Sequence, residues 1–215
     1  LTTAISSVSF THNGTDYSRE FFISHDDNVL VGRLEAEGAA KLNLDVRFPS
    51  KQGGTTTVQG NDTLVLCGKV SDNQLKYASY LTVVPEGGTV TGSGNKLTVS
   101  GANAITVYVS AATDYKNTFW DETGTDNYYY RTGETDAELA ARVLADVNAA
   151  VERGYEAVKA SHLADYQEMF SRVELDLGQT VSSKTTDQLL ATYKNGSATE
   201  AEKRQLEVML FQYGR

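Results

Sequence analysis

SVSFTHNGTDYSREFFIS, residues 7–24, decides the class of fold. Ser7 to Phe10 alternates polar and apolar side chains, Asn13-Gly14 interrupts, and Tyr17 to Ser24 resumes an extended pattern. Asn-Gly enters the left-handed backbone region at little cost, and the resulting turn matches the twist of two antiparallel strands, so the stretch predicts a β-hairpin. Outward from it the pattern repeats in NVLVGRLEA (28–36), DTLVLCGKV (62–70), LKYASYLTVV (75–84), KLTVS (96–100) and AITVYVSAA (104–112). KLNLDVRF (41–48) places Leu42, Leu44, Val46 and Phe48 on one face. KQGGT (51–55), EGGTVTGSGN (86–95) and SGAN (100–103) read as turns between strands. Many short strands with no helix between them exclude a parallel α/β sheet and predict an antiparallel β-sandwich.

From about residue 134 the period changes from two to that of a helix. ETDAELAARVLADVNAAVERG carries a stripe of Leu139, Val143, Leu144, Val147, Ala150 and Val151, with Gly154 as a stop. YEAVKASHLADYQEMF (155–170) gathers Tyr155, Val158, His162, Tyr166, Met169 and Phe170 on one side. RVELDLG (172–178) returns to strand alternation and is expected to pair back onto the sandwich. TTDQLLATYKNG follows with a capping box of Thr185 and Gln188. The last stretch, TEAEKRQLEVMLFQYGR (199–215), has another box in Thr199 and Glu202 and an apolar stripe of Leu206, Met209, Leu210 and Tyr213. A core-facing helix with no partner helix after it, and a start at Leu1 that runs straight into strand-like sequence, give the expectation of a window on a larger multidomain enzyme.

The chain has 28 acidic against 19 basic residues, a net charge of −9, which argues against nucleic acid as a partner. No apolar run of eighteen residues occurs, so no membrane insertion by a helix is expected. The single cysteine, Cys67, excludes an intrachain disulfide and a cysteine-rich metal site, and its strand-like setting predicts a small core residue. His12, His25 and His162 are far apart, and neither HExxH, G-x-S-x-G nor a phosphate loop is present, so no metal or cofactor is expected. The carboxylate clusters are Asp26-Asp27, Asp121-Glu122 and Glu134 with Asp136. Asp26-Asp27 suits a turn, and Glu134 and Asp136 suit a helix N-terminus. His162 reads as a packed helical residue. The aromatic-rich loop DYKNTFWDETGTDNYYY (114–130) is the stretch with the most functional character. Its Tyr115, Asn117 and Trp120 are the candidate sugar contacts, since rings stack on sugars and amides bind hydroxyls. The other reading is that its aromatics seal a domain junction.

YSREFFISHDDNVLVGRLEA, LKYASYLTVVPEGGTV, VSGANAITVYVSAATDYKN, HLADYQEMFSRVELDLG and RQLEVMLFQYGR, taken in order along nearly the whole chain, resemble glycoside hydrolase family 95. The resemblance implies an α-L-fucosidase-like parent acting on fucosylated oligosaccharides or glycans, with some relatives preferring α-L-galactose. It implies an N-terminal β-sandwich over residues 1–133 with a loop at 113–133. A helical linker with the returning strand would follow over 134–184, and the start of an (α/α)6 barrel over 185–215. In the family FQYGR is soon followed by an Asn-containing pocket motif, and the acid and base of an inverting mechanism lie farther on. The resemblance therefore places no catalytic residue in this chain and makes the missing barrel its partner. It also implies an extracellular or cell-surface bacterial enzyme, with the cytoplasm left open. The alternatives from another class are a carbohydrate-binding module and a structural assembly module.

Overall fold

The computed structural model describes residues 1–116 and 130–214. The described residues form two compact units, Ile5–Asp165 and a smaller one of Leu1–Ala4 with Tyr166–Arg215. In the larger unit the 7–24 stretch folds as the sequence predicts. β1 (Ser6–His12) and β2 (Thr15–Ser24) pair antiparallel from Ser6 opposite Phe21 to His12 opposite Thr15. Asn13 and Gly14 turn the hairpin at φ of 49° and 74°, the two left-handed residues that such a turn requires.

The strands continue as β3 (Val29–Glu37), β4 (Leu42–Arg47), β5 (Thr55–Gln59), β6 (Thr63–Lys69), β7 (Lys76–Glu86), β8 (Thr89–Ser93), β9 (Lys96–Ala102) and β10 (Ala104–Thr113). Seven of the ten make one antiparallel sheet in the order β1-β2-β3-β10-β7-β6-β5, and β4-β9-β8 make a second. Between the sheets, Leu64, Leu81, Val83 and Ile105 pack on Leu42, Leu97 and Val99. The other face of the large sheet offers Phe22, Val29, Val31, Tyr80 and Tyr108 to α1 (Asp136–Arg153) and to Val158 at the start of α2 (Tyr155–Phe170). The helical stripe read from the sequence is what α1 buries there, through Leu139, Val143, Val147 and Ala150. The Thr135 hydroxyl accepts from the Glu138 N–H at 3.2 Å, and the Glu138 carboxylate accepts from the Thr135 N–H at 2.8 Å, closing a capping box at its start.

The smaller unit holds the end of α2 with α3 (Thr186–Lys194) and α4 (Glu200–Gly214). Tyr166 stacks on Phe170 at 5.2 Å and donates its hydroxyl to the Leu1 carbonyl at 2.9 Å. Both expected capping boxes contribute. Gln188 accepts from the Thr185 N–H at 3.1 Å, and Thr199 and Glu202 bond reciprocally at 3.0 and 3.3 Å.

Three expectations are corrected. Residues 172–178 form no strand, so the expected pairing with a sandwich strand is not made. Alternation selects a face but supplies no ladder partner, and local side chains take the donors instead: Gln179 accepts from the Leu177 N–H at 2.8 Å and Asp176 from the Gly178 N–H at 2.7 Å. Thr89–Ser93, inside a stretch read as a turn, is strand β8, and Thr55–Gln59, which starts at the last residue of the KQGGT turn and lies in none of the stretches read as strands, is β5, both at sheet edges. Their Thr-rich, half-solvated faces lack the apolar alternation that marks a buried strand. Cys67 is exposed rather than a core residue. It shares the helix-side face of β6 with Val65 but lies toward the strand end, lining a gap with Lys69, Lys76 and Asp136 beside the start of α1.

Candidate functional site

The aromatic-rich loop leaves the large sheet at the end of β10 and returns just before α1, and its neck is the best-defined polar assembly near a predicted site. Asp114 is buried, and its carboxylate accepts from the Lys76 N–H at 2.8 Å. The Asp114 N–H donates to the Lys76 carbonyl at 3.2 Å, and the Asp114 carbonyl accepts from the Thr132 N–H at 2.8 Å. Arg131 stands 3.7 Å from that carboxylate and donates to the carbonyls of Gln74, at 2.9 Å, and Asn73. Tyr115 and Arg131 form an isolated antiparallel bridge, and the Lys116 N–H donates to the Tyr130 carbonyl at 2.6 Å. On the helix side Arg142 grips the Glu134 carboxylate with two bonds of 2.8 and 2.9 Å, while Lys76 Nζ donates to the Glu134 carbonyl at 2.7 Å. The Arg142 guanidinium, helped by the Thr132 hydroxyl, holds the Glu134 carboxyl down at about 2. Two short chain segments are thus pinned to the β6–β7 turn and to α1. Tyr115, 54% exposed, stands at the mouth of this neck. The other two sugar-contact candidates, Asn117 and Trp120, lie outside the described residues, as do Asp121 and Glu122.

The remaining predicted positions have structural surroundings. Asp26 and Asp27 sit in the β2–β3 turn, where Asp27 accepts from the Ser24 hydroxyl at 2.6 Å and pairs with Arg153 of α1. Asp136 opens α1, 3.2 Å from Lys76 Nζ. His162 is buried and stacks on Phe22 at 4.9 Å, a packing role in the helix–sheet core. The fold brings His25 to 3.6 Å from Asp26 and 3.7 Å from Asp165, a neighbourhood that sequence distance hides.

Sequence reasoning also missed a groove of about 340 Å³ between β1–β3 and the start of α2. Arg33 lies 2.7 Å from Glu35 and 2.6 Å from Glu86, with its guanidinium 4.8 Å from the Tyr155 ring centre. Lys159 Nζ lies 2.5 Å from Glu20 and 3.1 Å from the Tyr155 hydroxyl, which itself donates to Glu20. Burial and the Glu20 hydrogen bond push the Tyr155 hydroxyl up to about 12. Lys159 and then Tyr155 hold Glu20 below the usual carboxylate range, and Arg33 does the same to Glu86. The available signal was Glu20, Arg33 and Glu35 spaced along strands whose neighbouring positions are apolar; only the register shows that they meet. Among the described residues, every carboxyl that departs from its ordinary value departs downward, in this groove, at the neck, in the smaller unit and at Asp45 of β4. Such groups are held as ion-pair or cap acceptors, which is the reverse of what a general acid needs.

Residues 1–118 match the glycosyl hydrolase family 65 N-terminal domain, more than half of the chain. The chain belongs to that family. Residues 154–215 of this glycosyl hydrolase chain match the family 95 catalytic domain, in agreement with the resemblance seen in the sequence. It is 27% identical to alpha-L-fucosidase 2 of Arabidopsis thaliana and 26% identical to a probable alpha-fucosidase A of Aspergillus niger, each over the whole chain. It spans 27% of the length of either relative. Among solved structures, a putative kojibiose phosphorylase from the human microbiome shares the fold with a TM-score of 0.54 and 10% identity, over 79% of this chain and 24% of that one. The glycosyl hydrolase chain is thus β plus α, an antiparallel sandwich followed by helices.

Proposed function

We propose that residues 1–215 are the sandwich and leading helices of a glycoside hydrolase that releases terminal α-L-fucose from fucosylated glycans with inversion, and that they are inactive alone. The observation that carries this reading is the match of the whole chain to alpha-L-fucosidase 2. The ionisation pattern supports the second half of the proposal. Inversion needs one carboxyl kept protonated and another that activates water, and the shifted carboxyls described here are all held ionised. In this scheme residues 1–133 are the sandwich, 134–184 the linker and 185–215 the start of the helical barrel, and the substrate places the enzyme outside the cell or on its surface. A second reading, a sugar-binding module, is favoured by one observation: exposed Tyr115 on a pinned neck at the mouth of the aromatic loop.

The test compares residues 1–215 with the longer protein on an α-L-fucosyl chromogenic substrate and on 2′-fucosyllactose. Turnover by the longer protein alone is expected. Turnover by residues 1–215 would place a catalytic pair within them and refute the assignment. Sugar binding by residues 1–215 that Tyr115→Ala and Trp120→Ala abolish would favour the module.

A further inference from the structure

The two sheets of the sandwich are unequal, seven strands against three. β8 lies against β5 and β7, and β9 lies against β5, β6 and β7. The core between the sheets takes in Tyr17 but none of Val8, Phe10, Phe21, Ile23 or Leu30, so the inner face of β1, β2 and the near end of β3 extends beyond the small sheet. The register fixes which side chains stand there. Tyr17 faces Ala36, Phe21 faces Gly32 and Ile23 faces Leu30, and Ala36 belongs to the core between the sheets. Phe21, Ile23 and Leu30 share that inner face with Val8 and Phe10 of β1, and all five are exposed, Ile23 by 67%. Phe21 lies flat on the sheet: a Cβ added at Gly32 would come within 2.8 Å of its ring.

This surface, apolar but for Arg19, whose guanidinium lies 5.3 Å over the Phe10 ring, is continuous with an interface already formed. Tyr17, Leu34, Val107 and Val109, along the same face, are partly buried against the sheet-on-sheet core. At the border the outer edge of β4 pairs with no strand among the described residues. A strand added there would extend the small sheet in the direction of the bare face, and alternate side chains would reach it at the spacing between packed sheets, about 10 Å. We propose that a β-segment of the longer protein, apolar at alternate positions, pairs along the free edge of β4 and covers Val8, Phe10, Phe21, Ile23 and Leu30. The proposal rests on reading residues 1–215 as part of a longer hydrolase, of which the relatives' length leaves ample chain to supply the segment.

The test introduces Ile23→Lys, and separately Phe21→Lys, into residues 1–215 and into the longer protein. In residues 1–215 the Ile23→Lys midpoint of thermal unfolding is expected to stay within about 1 °C, because the side chain is in water. In the longer protein it is expected to fall by about 4 °C or more, the loss that follows from a charge placed under a strand. Amide exchange over residues 42–47, read without any substitution, is expected to be at least about tenfold slower in the longer protein. Equal exchange, or equal midpoints in both contexts, overturns the proposal. So does a concentration-dependent dimer of residues 1–215 that Ile23→Lys dissolves, because the occupant is then a second copy. Fucosidase turnover by the unsubstituted longer protein is recorded separately, so loss of the functional reading and loss of this one are told apart.

Discussion

Gly88 and Gly133 both hold positive φ, 64° and 80°, but their surroundings differ. A Cβ on Gly88 would run into the Ser100 carbonyl and the Ala102 backbone nitrogen, whereas one on Gly133 meets nothing within 4 Å. Gly133→Ala therefore carries only the left-handed penalty, about 1 kcal/mol, while Gly88→Ala adds a backbone clash that β8 and β9 must part to relieve. Urea unfolding is expected to show a loss of more than about 2 kcal/mol for Gly88→Ala, with Gly133→Ala at about half that or less. The sequence places both glycines in turn-rich stretches and has no means of ranking them, because the cost lies in a neighbour twelve or more residues away. The same limit separates the site residues. Tyr115 is recognisable as an aromatic in a polar loop, but the Asp114–Arg131 neck that holds it needs residues 73 to 76, which come from a different hairpin.

Helices α1 and α4 read alike in sequence, each with an apolar stripe at helical spacing, yet they differ in what the stripe meets. Leu139 of α1 is fully buried against the large sheet, whereas Leu210 of α4 is 74% exposed. Leu139→Ala is expected to cost about 2–5 kcal/mol through lost burial and the cavity left behind, and Leu210→Ala in residues 1–215 within about 0.5 kcal/mol; chemical denaturation of the two variants checks both. A cost for Leu210→Ala that appears only in the longer protein would mark the stripe as a face the rest of the helical domain covers. The contrast also shows what was legible. Caps, hairpin turns and helical stripes are local chemistry, so the β1–β2 hairpin, α1 and the capping boxes at Thr185 and Thr199 could be read directly, and the Thr135–Glu138 box, equally local, was missed. Edge strands β5 and β8 could not, because their half-solvated faces are polar. The alternation at 172–178 was legible but misleading, since no ladder forms. The Glu20–Arg33–Tyr155–Lys159 groove joins residues more than a hundred positions apart, and no local signal reports such a meeting.

At the scale of the whole chain these ion pairs set limits on the pH range of stability. Glu134 in the larger unit and Glu202 in the smaller are both lowered from 4.5 to about 2, the first by Arg142 and Thr132, the second by Lys184 and the Thr199 N–H. A carboxyl lowered on folding stabilises fully above its unfolded value and loses that contribution as it is protonated in the folded state. Both units are therefore expected to weaken as pH falls from about 4.5 toward 2. Tyr155 carries the opposite sign at the other end. Its hydroxyl is raised from 10.0 to about 12 by burial and by Glu20, so its contribution is complete below 10 and is lost as pH rises toward 12. Urea midpoints should form a plateau between the two limbs. Glu134→Gln is expected to flatten part of the acid limb and leave the alkaline one in place, because the neutral amide no longer gains a proton. Tyr155→Phe should do the reverse at the alkaline end, although it lowers the plateau by removing the bond to Glu20. An acid limb unchanged in Glu134→Gln would mean that the Arg142 pair is solvated as well in the folded chain as in the unfolded one, and that the neck is held by Asp114 and Arg131 instead.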